Sequence, residues 1–343
     1  MAPRFRVLTP DAQYDDEAKI ERAAAGGDFE LVTYRAREAH GIPDEAFAAS
    51  DGLLIWHELA IDRDIVARLT RCRIIVRCGV GYDHVDLRAA GEAGIPVCNT
   101  PDYGTSEVAD HAIALALTLR RGILSYQTAL WAEGCKAFDW RRGPHVRRVR
   151  GTRFGIVGLG RIGTATALRA KAFGFEVVGY DPYLPSGQEI ALGVARVARL
   201  EDLLASCDIV SLHTPLTEET RHLIDAAALA AMKPEAILVN TARGAVVDLE
   251  ALHEALRANR LAATALDVLP DEPPDPNEPL IKAMLERADW LEGRLIVTPH
   301  AAWYSPESQA DARRLSTETL VAYLARGELR NCVNEVFLAE RRR

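Results

Sequence analysis

Short apolar runs alternate with helix-forming spacers along most of the chain. Residues 4–9 (RFRVLT), 29–36 (FELVTYRA), 51–58 (DGLLIWHE), 73–80 (RIIVRCGV) and 95–101 (IPVCNTP) are strand-length runs, mostly bounded by Gly, Pro or Asp. Residues 15–25 and the segments IDRDIVARLT and VDLRAAGEAG between these runs read as helices. Strands alternating with helices predict a parallel sheet covered on both faces. A long helix rich in Ala and Leu, capped by Thr105 or Ser106, is expected over 105–126. Residues 131–150 break that pattern with two Trp, two Gly, a Pro and many Arg.

A second alternating series starts at Gly151. TRFGIVGL, FEVVGYD, DIVSLHT, AILVNTA, AATALDV and RLIVTPH read as six strands, the pattern of a doubly wound nucleotide-binding domain. Pro270–Pro279 reads as a rigid loop after a strand. After His300 a helix of about twenty residues is expected to run to Leu324, and NCVNEVF reads as a closing strand. The expected fold class is α/β, with two doubly wound parallel-sheet domains.

Composition narrows the functional classes. A chain of 343 residues suits two domains. A net charge of −8 argues against general binding to nucleic acid or acidic membranes. The local cluster Arg141, Arg142, Arg147, Arg148 and Arg150 reads as a solvated arm or a subunit contact. The six cysteines are scattered without metal-ligand spacing, so free thiols are expected and no metal site. The N-terminus lacks a signal-peptide core, and no apolar stretch reaches membrane-spanning length. A cytoplasmic protein is the expectation.

Gly158-Leu159-Gly160-Arg161-Ile162-Gly163 matches G-x-G-x-x-G between an expected strand and an expected helix. Gly158 permits the tight turn, Gly160 lets backbone approach a pyrophosphate, and Gly163 lets helix and strand pack closely. The helix N-terminus then faces the phosphates, with Arg161 as a further charge or an exposed side chain. Asp181 ends the next strand, 18 residues after Gly163. A carboxylate there accepts hydrogen bonds from ribose hydroxyls and repels a 2′-phosphate, so NAD is expected over NADP.

Three polar residues each follow the end of an expected strand, where ligands of open α/β sheets bind. His300 lies in IVTPHAAWYS, and an imidazole can hand a proton to a carbonyl oxygen near neutral pH. Glu272 precedes Pro273, which restricts its backbone and hence its side-chain direction. A carboxylate bonded to an imidazole orients the ring and favours its protonated form. Asp271 is an equally spaced rival for that role. Arg243 precedes Gly244 at a sharp turn, and a guanidinium suits bidentate contact with a carboxylate. An ion pair or cap is the plainer role for it.

Other candidates are less specific. His213 ends a strand, and Thr214 and Pro215 after it fit an adenine or ribose pocket. His111 lies within the long helix, packed or exposed. His145, His222 and His253 read as surface residues, and no proton transfer falls to these five histidines. Arg77, Gly79, Val80 and Gly81 form a glycine-rich turn after a strand. It is either an anion nest for a substrate carboxylate or a tight structural turn. Trp56 and His57 are expected to line the same cleft, with Trp303 as an apolar wall.

GVGYDHVD, GLGRIG, HTPLTEETRHLI, VNTARGAVVD, ALDVLPDEP and TPHAAW together resemble the D-isomer-specific 2-hydroxyacid dehydrogenases over nearly the whole length. RIIVRCGVGYDHVD, RAKAFGFEVVGYDPYL, TPHAAWYS and NCVN are most similar to the C-terminal-binding-protein branch, although Val80 and Val108 depart from its pattern. The resemblance implies that Arg243, Glu272 and His300 are catalytic. Trp303 would lie near the oxo acid, and Asp267 would contact the nicotinamide amide. It extends the cofactor contacts to His213, Thr214, Pro215, Thr220, Thr241 and Ala242, with Arg243 and His300 alongside. A Rossmann NAD domain, residues 106–303, would be inserted into a flavodoxin-like substrate domain, residues 1–105 and 304–343. The cleft would close on substrate, and helix 105–126 with arm 127–150 would form a homodimer interface. The implied activity is NAD-dependent reduction of a small 2-oxo acid or oxidation of the 2-hydroxy acid. A regulatory NAD(H)-responsive binding protein is the alternative. A 3-phosphoglycerate dehydrogenase lacking its regulatory domain is a lesser one, since Trp56 stands where those enzymes tend to place an Arg.

Overall fold

The computed structural model describes residues 3–341. The chain divides into two compact units, Met1–Gly104 with Tyr304–Arg343, and Thr105–Trp303. The first contains five parallel strands, β1 (Phe5–Thr9), β2 (Phe29–Thr33), β3 (Gly52–Ile55), β4 (Ile75–Arg77) and β5 (Val97–Cys98). Their order is β2-β1-β3-β4-β5, the flavodoxin-like arrangement. Every residue of β3 and β4 is buried, as a sheet covered on both faces requires. One cover is the helix Pro306–Arg326, held by a Ser305–Ser308 capping box at its start. Its Leu320 and Leu324 occupy the space that a side chain at Gly52 would need.

Within this unit a buried ion pair fastens that helix to the N-terminal one, Lys19–Ala25. Arg313 and Glu21 are each 3 % exposed and meet through two hydrogen bonds of 2.7 and 2.6 Å, with Asp16 on the same guanidinium. The expected closing strand NCVNEVF is a different structure. Cys332 makes one antiparallel bridge to Cys98, and a helix, Glu335–Arg341, begins three residues later. Asn334 ends the pairing because its side chain substitutes for a strand neighbour. It accepts from Val97 N–H at 2.8 Å and donates to the Ile95 carbonyl at 3.0 Å.

The second unit contains seven parallel strands. They are β6 (Arg153–Val157), β7 (Glu176–Tyr180), β8 (Ala195–Arg196), β9 (Ile209–Leu212), β10 (Ile237–Asn240), β11 (Ala263–Leu266) and β12 (Leu295–Val297). The order is β12-β11-β10-β9-β6-β7-β8, a doubly wound Rossmann sheet whose direction of winding reverses at β6. Six of these strands follow from apolar runs. The seventh, β8, is a two-residue edge strand exposed at both positions, so it carries no hydrophobic signal. Alternate residues feed separate cores, with Leu238 on one face and Ile237 and Val239 on the other.

The expected continuous helix over 105–126 is two helices, Thr105–Arg120 and Ile123–Glu133. Gly122 divides them by adopting φ 66° and ψ 22°, a left-handed geometry that glycine reaches without steric cost. Asp225 and Asp248 each accept a backbone N–H at a helix start in this unit, as Asp62 and Asp86 do in the first. Each such cap contributes about 1 kcal/mol. Among the described residues no helix is long and apolar enough to cross a membrane.

Candidate active site

Parallel strands send their following loops out from one edge of the sheet, so residues far apart in sequence meet there. At the winding reversal, β6 leads into the glycine loop and β9 into His213. Gly158 has φ +92°, and a side chain there would lie 2.9 Å from the His213 carbonyl. At Gly163 a Cβ would stand 1.9 Å from the Gly158 carbonyl, so only glycine permits that helix–loop approach. Gly160 differs because nothing lies within 4 Å of its Cβ direction. The helix Arg161–Ala172 starts there with no side-chain cap among the described residues, so its positive N-terminal end suits an anion. Arg161 is exposed and Ile162 half-buried.

Asp181 has a double role. Its Oδ2 accepts Leu159 N–H and its Oδ1 accepts Tyr183 N–H, each at 2.9 Å. Each carboxylate oxygen has a second lone pair left for a ribose hydroxyl. His213 Nδ1, Thr214 Oγ1 and Thr241 Oγ1 are buried polar atoms with no partner among the described residues. Burial pushes the His213 imidazole down to about 3, so the ring is neutral, with Nε2 against Ser211 Oγ at 2.9 Å. Thr220 folds back onto the Pro215 carbonyl at 2.6 Å. An uncapped helix end, an open glycine, a ribose-competent carboxylate and orphaned polar atoms fit a dinucleotide.

The neighbouring strands β10, β11 and β12 position the polar residues. After β10, the Asn240 side chain donates to the Arg243 carbonyl and accepts from Ala242 N–H, bending the chain into its turn. Arg243 Nη1 donates to the Ala242 carbonyl at 2.7 Å. Gly244 then packs so closely on the loop after β11 that a Cβ would lie 1.9 Å from the Leu269 carbonyl carbon. That loop carries Glu272. Its Oε1 accepts Leu269 N–H at 3.0 Å, and its Oε2 meets His300 Nδ1 at 2.6 Å. Glu272, not its neighbour Asp271, is therefore the partner of the imidazole. Their side chains are 32 % and 22 % exposed, so the pair is accessible while partly shielded.

His300 has φ +50°, a left-handed geometry that costs a non-glycine residue about 1–3 kcal/mol. Asp267, at the end of β11, holds it there. The Asp267 carbonyl accepts His300 N–H at 2.8 Å. Its carboxylate accepts Ala301 N–H at 2.9 Å, Ala302 N–H at 3.0 Å and the Thr298 hydroxyl at 2.5 Å. Residue 267 is 1 % exposed. His111 joins this network, with Nε2 3.1 Å from Thr298 Oγ1.

Residues 113–302 match the family model described as D-isomer specific 2-hydroxyacid dehydrogenase, NAD binding domain. The chain belongs to that family. Its second unit carries the family's NAD-binding domain, and its cofactor is NAD. A D-3-phosphoglycerate dehydrogenase of Methanocaldococcus jannaschii is 35 % identical over 335 residues, covering 96 % of this chain and 59 % of that protein. Another, from Archaeoglobus fulgidus, is 35 % identical over 285 residues, covering 83 % of this chain and 51 % of its own length. The chain thus spans between half and three-fifths of these curated relatives. A solved D-lactate dehydrogenase from Aquifex aeolicus, complexed with NAD and lactic acid, is similar with a TM-score of 0.80 at 26 % identity. That match covers 93 % of this chain and 95 % of the other.

Elsewhere in this family member, Arg77 is 5 % exposed and folds over Gly79 to donate to the Cys78 carbonyl at 2.8 Å. Gly79 has φ +156° and Val80 is 39 % exposed, so the turn combines a buried cation with an accessible rim. Trp56, expected to line a cleft, is 2 % exposed and packs edge-on to Tyr14. Its ring has almost no surface to offer a ligand. His57 is half-buried beside Gln13, and Trp303 is half-buried. His253 is not a surface residue. It is 9 % exposed, with its ring 5.5 Å from that of Trp290. Sequence reasoning missed Asn240, Asp11 and the contacts of His111. Asp11, 1 % exposed, accepts the N–H groups of Trp56, Glu58 and Leu59 and so shapes the loop after β3. The one available signal was a polar residue inside or beside an apolar run.

Proposed function

We propose that the chain is an NAD-dependent D-2-hydroxyacid dehydrogenase that reduces a small 2-oxo acid. Bound NADH supplies the hydride to the 2-oxo carbon. Because Nδ1 of His300 is turned to Glu272, the proton offered to the carbonyl oxygen is the one on Nε2. Glu272, 2.6 Å from Nδ1, orients the ring for that transfer. Arg243 binds the substrate carboxylate and polarises the carbonyl, stabilising charge that grows in the transition state. Arg77 and the turn at Gly79, Val80 and Gly81 are proposed as further carboxylate contacts, and Trp303 as an apolar wall. Gly158 to Gly163, Asp181, His213 to Pro215, Thr220, Thr241, Ala242 and Asp267 are proposed to hold the cofactor.

The observation that carries this reading is the 2.6 Å contact between His300 and Glu272, on a loop that also buttresses Arg243. A complete acid–carboxylate pair favours an enzyme over a regulatory binder of the C-terminal-binding-protein kind. That finer likeness rests on motifs alone. A phosphorylated substrate is a second reading, favoured by the 35 % identity to proteins named D-3-phosphoglycerate dehydrogenase. The assay is NADH oxidation across pyruvate, glyoxylate, hydroxypyruvate, branched 2-oxo acids and 3-phosphohydroxypyruvate. A kcat of about 1 s⁻¹ or more on any of them supports an enzyme. NADH binding with no turnover on the whole panel contradicts it.

We also propose a homodimer. Ile123, Trp131, Phe138 and Trp140 are 55 %, 79 %, 88 % and 81 % exposed on the helix and arm between residues 123 and 142. Such a grouping of large apolar side chains is a feature of interaction surfaces. Light scattering coupled to size exclusion tests this, and a monomer mass would contradict it. A cytoplasmic location is proposed from the scattered thiols, all of them free.

A further inference from the structure

We propose that His111 is a positioning residue for His300, acting through Thr298 and Asp267. The inference rests on the reading of His300 as the proton donor. His111 lies on the helix Thr105–Arg120, far in sequence from the loop it touches. The direction of each hydrogen bond follows from proton counting. Thr298 has one hydroxyl hydrogen, and at 2.5 Å it goes to Asp267 Oδ1, which as a carboxylate only accepts. The Thr298 oxygen therefore accepts from His111 Nε2–H at 3.1 Å. The same Nε2 lies 3.7 Å from Asp267 Oδ1. His111 thus presents its N–H to the hydroxyl and the buried carboxylate together.

What this fixes is the turn from Thr298 to Ala302. Asp267 pins it with four bonds, from His300 N–H, Ala301 N–H, Ala302 N–H and the Thr298 hydroxyl. His300 stays left-handed only while that set is complete. The hydroxyl is the one member free to rotate, and His111 occupies its acceptor side so that its hydrogen points at Asp267. Without His111 the hydroxyl has competing orientations, the Asp267 oxygen loses a donor, and the turn carrying His300 loosens. Misplacement by about 1 Å at a reacting group can cost ~10²-fold in rate. The glycine loop and Asp181 lie on other strands and stay unaffected.

The test uses His111→Ala, His111→Gln, Thr298→Val and the Ala/Val double variant in the full chain. Gln keeps an N–H donor close to the position of the imidazole Nε2. We expect His111→Ala to lower kcat about 10-fold or more, with KM for the 2-oxo acid within about twofold, and His111→Gln to recover most of it. The double variant should be no slower than Thr298→Val alone, because both act on one path. Amide exchange followed by mass spectrometry provides a readout independent of turnover. Peptides covering Ala301 and Ala302 should exchange faster in His111→Ala and not in His111→Gln. A kcat within twofold of wild type, additive losses in the double variant, or unchanged exchange would each overturn the inference. His300→Gln is assayed alongside. If that variant keeps turnover, the proton-donor reading itself fails. If it is inactive while His111→Ala matches wild type, only the role of His111 fails.

Discussion

Gly244→Ala is a one-carbon change that tests how the three polar residues are held together. The added Cβ would stand 1.9 Å from the Leu269 carbonyl carbon and 2.2 Å from both the Leu269 oxygen and Pro270 nitrogen. All three are backbone atoms, so no side chain can rotate away. The loops must separate by about 1 Å or more to restore ordinary contact. Leu269 N–H is bonded to Glu272, which is bonded to His300, so the displacement reaches the imidazole. Overpacking of this kind costs about 1–3 kcal/mol. In a unit of this size each kcal/mol lowers Tm by about 2–4 °C. A shift of about 1 Å at the reacting groups costs ~10²-fold in rate. The expected outcome is a kcat reduced about 100-fold, a Tm lower by several degrees and an NADH Kd within about threefold. Calorimetry, NADH fluorescence and steady-state turnover measure the three quantities. A variant with wild-type kcat and Tm would refute the claim that the Arg243 turn and the Glu272 loop are mutually buttressed.

Asp181→Ser removes the carboxylate that repels a 2′-phosphate and leaves Arg196, whose Nη2 already donates to the residue 181 carbonyl at 2.9 Å. The NADPH to NADH ratio of kcat/KM should rise at least about 10-fold, and an unchanged ratio would contradict that role. His213, pushed down to about 3 by burial, stays neutral when folded but protonates near ~6.5 when unfolded. The unfolded chain then binds more protons at acid pH, so stability falls as pH drops from ~6.5 towards 3. Urea midpoints should show wild type losing about 2 kcal/mol more than His213→Asn between pH 7 and pH 5; equal losses would refute the assignment. Glu21→Ala strands the buried Arg313 guanidinium and should destabilise by about 3 kcal/mol or more in urea titration. A loss below about 1 kcal/mol would show that Asp16 alone satisfies that cation.

Much of the fold was legible because apolar runs and turn residues report burial directly. Every strand except β8 lies inside a run identified from hydrophobic pattern. The glycine loop was legible because its three glycines answer three different steric demands, each visible as a distinct Cβ environment. One exception is local, and in the others the deciding contact lies far away in sequence. Gly122 breaks a helix that Ala and Leu on either side would continue, since a single glycine in a helical pattern is ambiguous. Asn334 imitates a strand neighbour with its side chain, which no periodicity records. Trp56 looks like a binding residue from its place at a strand end, yet it is packed away by Tyr14. His111 reads as an unremarkable helix residue until Thr298, 187 positions later, is folded against it. Choosing Glu272 over Asp271 likewise needed the geometry of the loop.

The most direct measurement is the turnover of His300→Gln on whichever 2-oxo acid the wild-type protein reduces best. Loss of a positioned proton donor predicts a kcat lowered about 10²–10⁴-fold, with NADH affinity unchanged and no further loss when Glu272→Gln is added. Turnover close to wild type, with the same pH profile, would contradict the account.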